Sequence, residues 1–239
     1  MNWAQRCGRK ELLDGDGIPF ADLTQNLREL EIINTRLGGH RVTLRGLKAL
    51  LPTQFPEILH IAEIGCGGGD NLRAIARFLQ AQKIPFRLSG IDLKKECIDY
   101  ARAHSGIPET AVSWICSDYQ TVDFRERGQP HILFSSLFCH HFGEEALVEQ
   151  MQWMTANSQL GFFINDLHRH PLAYHSIKIL TRLFSKSYLV KNDAPLSVLR
   201  AFRRADWTEI FRKSGLSQPQ IEWCWAFRHL VIWRTHAAV

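Results

Sequence analysis

Ile58-Leu-His-Ile-Ala-Glu-Ile-Gly-Cys-Gly-Gly-Gly-Asp70 decides the fold. An apolar strand run ends in an acid, Glu63. A glycine loop follows, Gly65-Cys66-Gly67-Gly68-Gly69, and a helical segment from Asp70 to Gln80 comes next. Strand, glycine turn and helix make the first unit of a nucleotide-binding α/β fold. Glycine lets the backbone turn tightly and approach a ligand with no Cβ in the way. The helix start offers unpaired N–H groups to a polar ligand end. The spacing also excludes ligands. A dinucleotide loop needs Gly-x-Gly-x-x-Gly, and its last position here is Asp70. A phosphate-cradling loop needs Gly-Lys-Ser/Thr, and no lysine is present.

Outward from this unit, strands and helices alternate. Strand readings fall at Ile58–Ile64, Phe86–Ile91 (ending in Asp92), Ala111–Cys116 (ending in Ser117-Asp118), His131–Ser136 and Leu160–Ile164. Helix readings fall at Asp70–Gln80, Lys94–Ala103, Glu144–Asn157 and Ala205–Ser214. Ile221–Trp225 and Arg228–Arg234 read as a closing hairpin. Such alternation predicts a parallel sheet covered on both faces. Before it, residues 1–20 read as a loose polar arm. Asp22–Leu37 has helical apolar spacing, and His40–Leu51 reads as a second helix stopped by Pro52. This divides the chain into an arm with a helical cap, 1–54, and a main domain, 55–239, carrying a lid insertion over about 166–203.

Composition sets limits. Of 239 residues, 22% are charged and 45% hydrophobic, as expected of a globular chain. No apolar run is long enough for a transmembrane helix, and no secretory h-region is expected. Cys7, Cys66, Cys97, Cys116, Cys139 and Cys224 form no Cys-x-x-Cys pair, which predicts a reducing, cytoplasmic setting. A net charge of +5, mild and spread out, argues little for nucleic acid and somewhat more for an acidic or membrane-bound substrate.

Glu63-x-Gly65-x-Gly67-x-Gly69 resembles the acidic-glycine motif of class I S-adenosylmethionine (SAM) methyltransferases. SAM presents a cationic amino acid end, a sulfonium and a ribose diol, and a strand-end carboxylate suits a cation better than it suits pyrophosphate. The resemblance implies a Rossmann-like, seven-stranded, mostly parallel sheet with a closing antiparallel hairpin. It assigns Glu63, Gly65, Cys66, Gly67, Gly69 and Asn71 to the cofactor. Asp92, with Leu93, would take the ribose hydroxyls. Ser117, Asp118 and Tyr119 would meet the adenine, and Ser135 and Ser136 the methionine part. SAM is then the cofactor and S-adenosylhomocysteine (SAH) its product. More narrowly, Leu37-Gly-Gly-His-Arg41, Phe138-Cys-His-His-Phe142 and Asn165-Asp-Leu-His-Arg169 look like bacterial methyltransferases found with quinone and polyketide biosynthesis enzymes.

Methyl transfer to a hydroxyl needs orientation and a base. His140, His141 and Asp166 are the catalytic candidates; His168 and His170 lie beside them in sequence. A neutral imidazole can take a phenolic proton near neutral pH. These residues invite a metal reading, but metal-dependent O-methyltransferases use mainly carboxylate oxygens, and this set is His-rich and split over two loops. No metal is expected. Ser135-Ser-Leu-Phe138 lacks the Asn/Asp-Pro-Pro-aromatic motif of amine-methylating DNA enzymes, and Cys139 lacks the Pro-Cys context of a cytosine C5 enzyme. The expected acceptor is a small, largely apolar molecule: a phenolic, quinol or polyketide oxygen, with a lipid-like acceptor included. Pro171–Arg203 carries apolar residues with Lys178, Arg182, Lys186 and Lys191, which read as a lid helix or as a membrane-facing surface. Arg200, Arg203 and Arg204 are candidates for holding an anionic group. The rivals are an RNA methyltransferase, a SAM-fold protein that binds without catalysing and, more distantly, an NAD-binding protein.

Overall fold

The computed structural model describes residues 2–15, 17–124 and 128–235. Its elements follow the order α1 (Phe20–Arg36), α2 (Gly39–Leu50), β1 (Leu59–Ile64), α3 (Asp70–Ala81), β2 (Phe86–Asp92), α4 (Lys95–Ala103), β3 (Val112–Cys116), β4 (Ile132–Ser136), α5 (Glu144–Ala156), β5 (Gly161–Leu167), α6 (Pro171–Phe184), α7 (Tyr188–Arg200), α8 (Arg204–Lys213), β6 (Gln220–Cys224) and β7 (Arg228–Arg234). The seven strands lie in the order β3-β2-β1-β4-β5-β7-β6. β1 to β5 are parallel, and β7 runs antiparallel to both β5 and β6.

Strand alternation builds two cores. Leu59 and Ile61 of β1 face a layer containing Leu47 and Leu50 of α2 and Leu72, Ile75 and Leu79 of α3. Ala62 and Ile64 face the other way, toward Leu147, Met151 and Met154 of α5 and Trp207, Ile210 and Phe211 of α8. This is the two-residue period of a strand buried on both faces. β1 and β4 are neighbours, so the strand order reverses between them. The crevice at their carboxyl ends is where open α/β sheets bind ligands.

The two N-terminal helices differ in placement. α2 is built into the sheet layer, with Gly46 against the Phe163 ring. α1 lies beside the glycine loop and is tied to it. Asn34 Nδ2 donates to Asp70 at 3.0 Å, and Arg73 pairs with Glu31 at 2.7 Å; from the start of α2, His40 Nε2 sits 2.7 Å from the Asp70 carboxylate as well.

Three expectations need correcting. The arm is docked where it is described, over 2–15, and not loose. Arg6 donates to the carbonyls of Arg200 and His140, and Leu12 and Leu13 N–H groups donate to Asp193. β5 extends past Ile164 to Leu167, so Asn165 and Asp166 belong to the strand, and the insertion does not begin at 166. Their polarity suggested a loop, but both are fully buried and hydrogen-bonded. The insertion is two helices, α6 and α7, and not one lid helix. Glu29 of α1 accepts from the Lys186 and Ser187 N–H groups in the turn between them.

Candidate active site

The glycine loop forms one wall of a cavity of about 620 Å³ at the β1/β4 switch. Gly65 has φ +67°, and a side chain there would collide with Phe138. Gly67 has φ +49° and only Leu27 Cδ2 near its open side, at 3.8 Å. The loop therefore presents bare backbone to the cavity. Asp92 pins it: Oδ2 accepts from Gly67 N at 2.8 Å and Oδ1 from Lys94 N at 2.9 Å. Each oxygen keeps a lone pair for a diol. Burial lifts the Asp92 carboxyl above its ordinary range, against the pull of those two N–H groups.

Glu63 lies at the bottom, fully buried. Its Oε1 accepts from Asn71 at 3.2 Å, and its Oε2 has no partner among the described residues. Burial first, then the charges of Asp70 and Asp92, raise its pKa well above the ordinary value. An orphaned carboxyl oxygen beside an acid cluster is the chemistry a cationic ligand end relieves. Asp70 behaves oppositely. Burial pushes it up, but the hydrogen bonds from His40 and Asn34 hold it below the carboxylate range.

Cys66, Leu93, Ser117, Asp118 and Tyr119 also line this cavity, as does Ser136. Asp118 Oδ1 accepts from Gln120 N at 3.0 Å. Tyr119 stands edge-on to Phe138, and burial pushes its phenol up to about 12. An apolar wall beside an acid acceptor suits an adenine. The residues present thus fit SAM: a diol acceptor, a buried carboxyl with one unpaired oxygen and an apolar slot with an acid at its edge. Ser135 and Gly69 do not line the cavity. Ser135 Oγ is within 3.4 Å of Cys139 Sγ, and a side chain at Gly69 would meet Trp114. Burial raises the Cys139 thiol, which leaves it inert.

A second cavity, of about 380 Å³ and mostly apolar walls, adjoins the first. Leu13, Leu30, Leu137 and His141 line both. Leu137 holds φ +53°, a strained conformation for a branched side chain, at this junction.

The three catalytic candidates separate here. His141 stands at the junction with Nδ1 2.8 Å from Asp14 Oδ1. A carboxylate at Nδ1 fixes the proton there and makes Nε2 the accepting atom. Asp14 is also held by Arg200 at 3.0 Å. Burial works against its ionisation, but the bond to His141 and the Arg200 charge keep its pKa far below the ordinary value. His140 is buried away from the glycine-loop cavity, lining the apolar one. Its Nδ1 meets Asp166 Oδ1 at 2.8 Å. Asp166 lines neither cavity. It also accepts from the N–H groups of His140 and Leu167, so it positions the His140-His141 turn. Burial opposes its charge, but His140, the Leu167 N–H and His141 together lower its pKa. His168 and His170 line neither cavity, and their rings lie 5.5 Å from each other. His170 caps α6 by accepting from Leu172 N, and His168 packs against His229.

Glu11, His140 and His141 bring ligand atoms within 4.8 Å of one another, the only such group among the described residues. Arg200 already supplies a cation there. It is buried, lies 3.8 Å from Glu11 and donates to the His140 and His141 carbonyls. Of the three arginine candidates, Arg200 alone reaches the site; Arg203 is exposed and Arg204 donates to the Ile221 carbonyl.

Glu11, Asp14 and Leu13 were not legible as site residues. Their one signal was Glu11-Leu-Leu-Asp14, two acids flanking an apolar pair in an otherwise polar arm.

Residues 61–157 match the family model described as a methyltransferase domain. No curated protein matches the chain. Solved structures share its fold. One described as a possible exported protein from Bordetella parapertussis is 20% identical, with 85% of this chain and 68% of that one covered and a TM-score of 0.61. Magnesium protoporphyrin IX methyltransferase from Synechocystis, with bound SAM, is 12% identical over 92% of this chain and 88% of that one, with a TM-score of 0.53. Human N-acetylserotonin methyltransferase, in complex with SAM, is 13% identical over 94% of this chain and 63% of that one, with a TM-score of 0.61. Over residues 61–157 the chain is thus similar to a methyltransferase domain. Its sheet has the Rossmann-like fold that the two SAM-bound methyltransferases share.

Proposed function

We propose that this methyltransferase moves the methyl group of SAM to a small, largely apolar acceptor held in the second cavity, with a phenolic, quinol or polyketide oxygen as the accepting atom and SAH as the product. One observation carries the reading: the glycine-loop cavity and the apolar cavity share a wall at Leu13, Leu30, Leu137 and His141. A donor site that adjoins an apolar acceptor site is what in-line transfer between two small molecules needs.

The chain's own residues do three things. The loop, Asp92 and Glu63 orient the donor. Leu13 and the docked arm exclude water from the junction, which strengthens every polar contact inside it. His141, held by Asp14, takes the acceptor proton at Nε2. Orientation supplies most of the rate and the base a smaller share, about 10²–10⁴-fold. The mostly apolar lining of the second cavity favours a small molecule over RNA, which would need a basic groove with stacking aromatics.

The test is SAH release on incubation with phenols, quinols and polyketides, for the parent and for His141→Ala. The variant is expected to lose about 10²–10⁴-fold in kcat while binding SAH as before. Undiminished turnover removes His141 from the chemistry. Absence of SAH release from all three acceptor classes overturns the substrate reading.

A further inference from the structure

We infer that the outer face of α6 docks on an anionic phospholipid surface and turns the mouth of the apolar cavity toward the bilayer. The helix has two faces. Ala173, Tyr174 and Thr181 are buried against the fold. On the outer face Leu172, Ile179, Leu180, Leu183 and Phe184 are exposed, Leu183 at 68% and Phe184 at 78%. Tyr188 continues the strip at the start of α7. Soluble proteins rarely leave so many large apolar side chains together in water.

Charge selects the occupant. Residues 171–191 contain Lys178, Arg182, Lys186 and Lys191 and no Asp or Glu. Lys178, Arg182 and Lys186 are exposed beside the apolar strip. A basic amphipathic helix lies in the plane of an anionic interface, its apolar side chains among the acyl chains and its cations at the phosphates. α6 has 14 residues, and no helix among the described residues is long and apolar enough to cross a membrane. Docking in the interface plane is the mode that remains for it.

Continuity with the cavity supplies the second argument. Leu180 and Trp225 each line the apolar cavity and are exposed, Trp225 at 63%. The cavity therefore opens on the same face as the strip. Trp225 and the exposed Trp223 stand at the hairpin between β6 and β7. Aromatic side chains favour the headgroup level. A membrane-resident acceptor would enter between Leu180 and Trp225 without crossing water. That last step rests on the acceptor reading above, whereas the docking itself does not.

The test is co-sedimentation of the full chain with vesicles of phosphatidylcholine plus phosphatidylglycerol, against phosphatidylcholine alone. Binding is expected to the mixed vesicles at low salt and to fall as salt rises. Leu183→Ser with Phe184→Ser, and separately Lys178→Glu with Arg182→Glu, should each cut partitioning by about tenfold or more. All four side chains are exposed, so thermal unfolding and SAH binding should stay as in the parent. Retention of the parent in the supernatant at low salt overturns the proposal. So does equal pelleting of the parent and both variants. A dimer on gel filtration that the Leu183/Phe184 variant dissolves, with no vesicle binding, would make this face a contact between copies and overturn it as well. Vesicle binding without SAH binding would leave the docking standing and remove the methyltransferase reading.

Discussion

Glu11 shows how one side chain can link the arm to the site. It is buried, accepts from Ser197 Oγ at 2.9 Å and lies 3.6 Å from His140 Nε2. Burial raises its pKa to about 7, against the bond from Ser197 and the charges of His141 and Arg200. The sign follows from linkage. A carboxyl whose pKa is higher docked than free favours docking below the free value, and that help is lost as pH rises toward 7. Asp14 works the other way, but its contribution is complete above the ordinary carboxylate range. Between pH 5 and 8 Glu11 therefore governs. Amide hydrogen exchange over residues 2–15 should show the arm less protected at pH 8 than at pH 5.5. Glu11→Gln should flatten that difference, and an equally pH-dependent variant would show that another group controls docking.

Residue roles were unevenly legible. Glu63, the glycine loop, Asp92 and Asp118 could be placed because each follows a strand by local spacing. Arg200, Glu11 and Asp14 could not, because their meeting spans some 190 residues of chain. Nothing local in the sequence encodes a buried arginine that gathers the carbonyls of His140 and His141.

At the scale of elements, α2 and β5 offer a sharp packing test. Gly46 faces Phe163, whose ring stacks on Phe134 at 4.9 Å. A methyl group at position 46 would overlap that ring. Alanine is the better helix former by about 1 kcal/mol, which by itself predicts stabilisation. Overpacking a ring buried on both sides costs about 1–3 kcal/mol. We expect the clash to win, and Gly46→Ala to lower the urea midpoint without changing the slope. A raised midpoint would show that α2 can lift off the sheet.

Element positions were legible where apolar periodicity was clean, as for β1, α3 and α5. Two are hidden from a sequence reading for a shared reason. Asn165 and Asp166 lie near the end of β5, and polar residues there look like loop. Inside the fold Asn165 Nδ2 bridges the Gly39 carbonyl, Thr43 and Ser136, while Asp166 holds His140. Satisfied polar groups can be buried, and sequence does not reveal who satisfies them. The arm is hidden likewise: few apolar residues mark it, and hydrogen bonds from its backbone N–H groups to Asp193 hold it.

For the whole molecule, sheet order explains why the site is where it is. The reversal between β1 and β4 opens the crevice, the closing hairpin covers β5, and α6 with α7 roofs the second cavity. Alternation of strands and helices made this sheet legible in advance. The partition into two joined cavities was not, because it depends on the arm, α1, α6, α7 and the hairpin meeting in space.

The central claim is that the glycine-loop cavity is a SAM site. Isothermal titration with SAH, with NAD as the control and Asp92→Ala as the variant, tests it most directly. SAH should bind at micromolar concentration and NAD not at all, with the variant weaker by about 1–3 kcal/mol for two lost charge-assisted hydrogen bonds. Binding of NAD in place of SAH, or of neither, would contradict it.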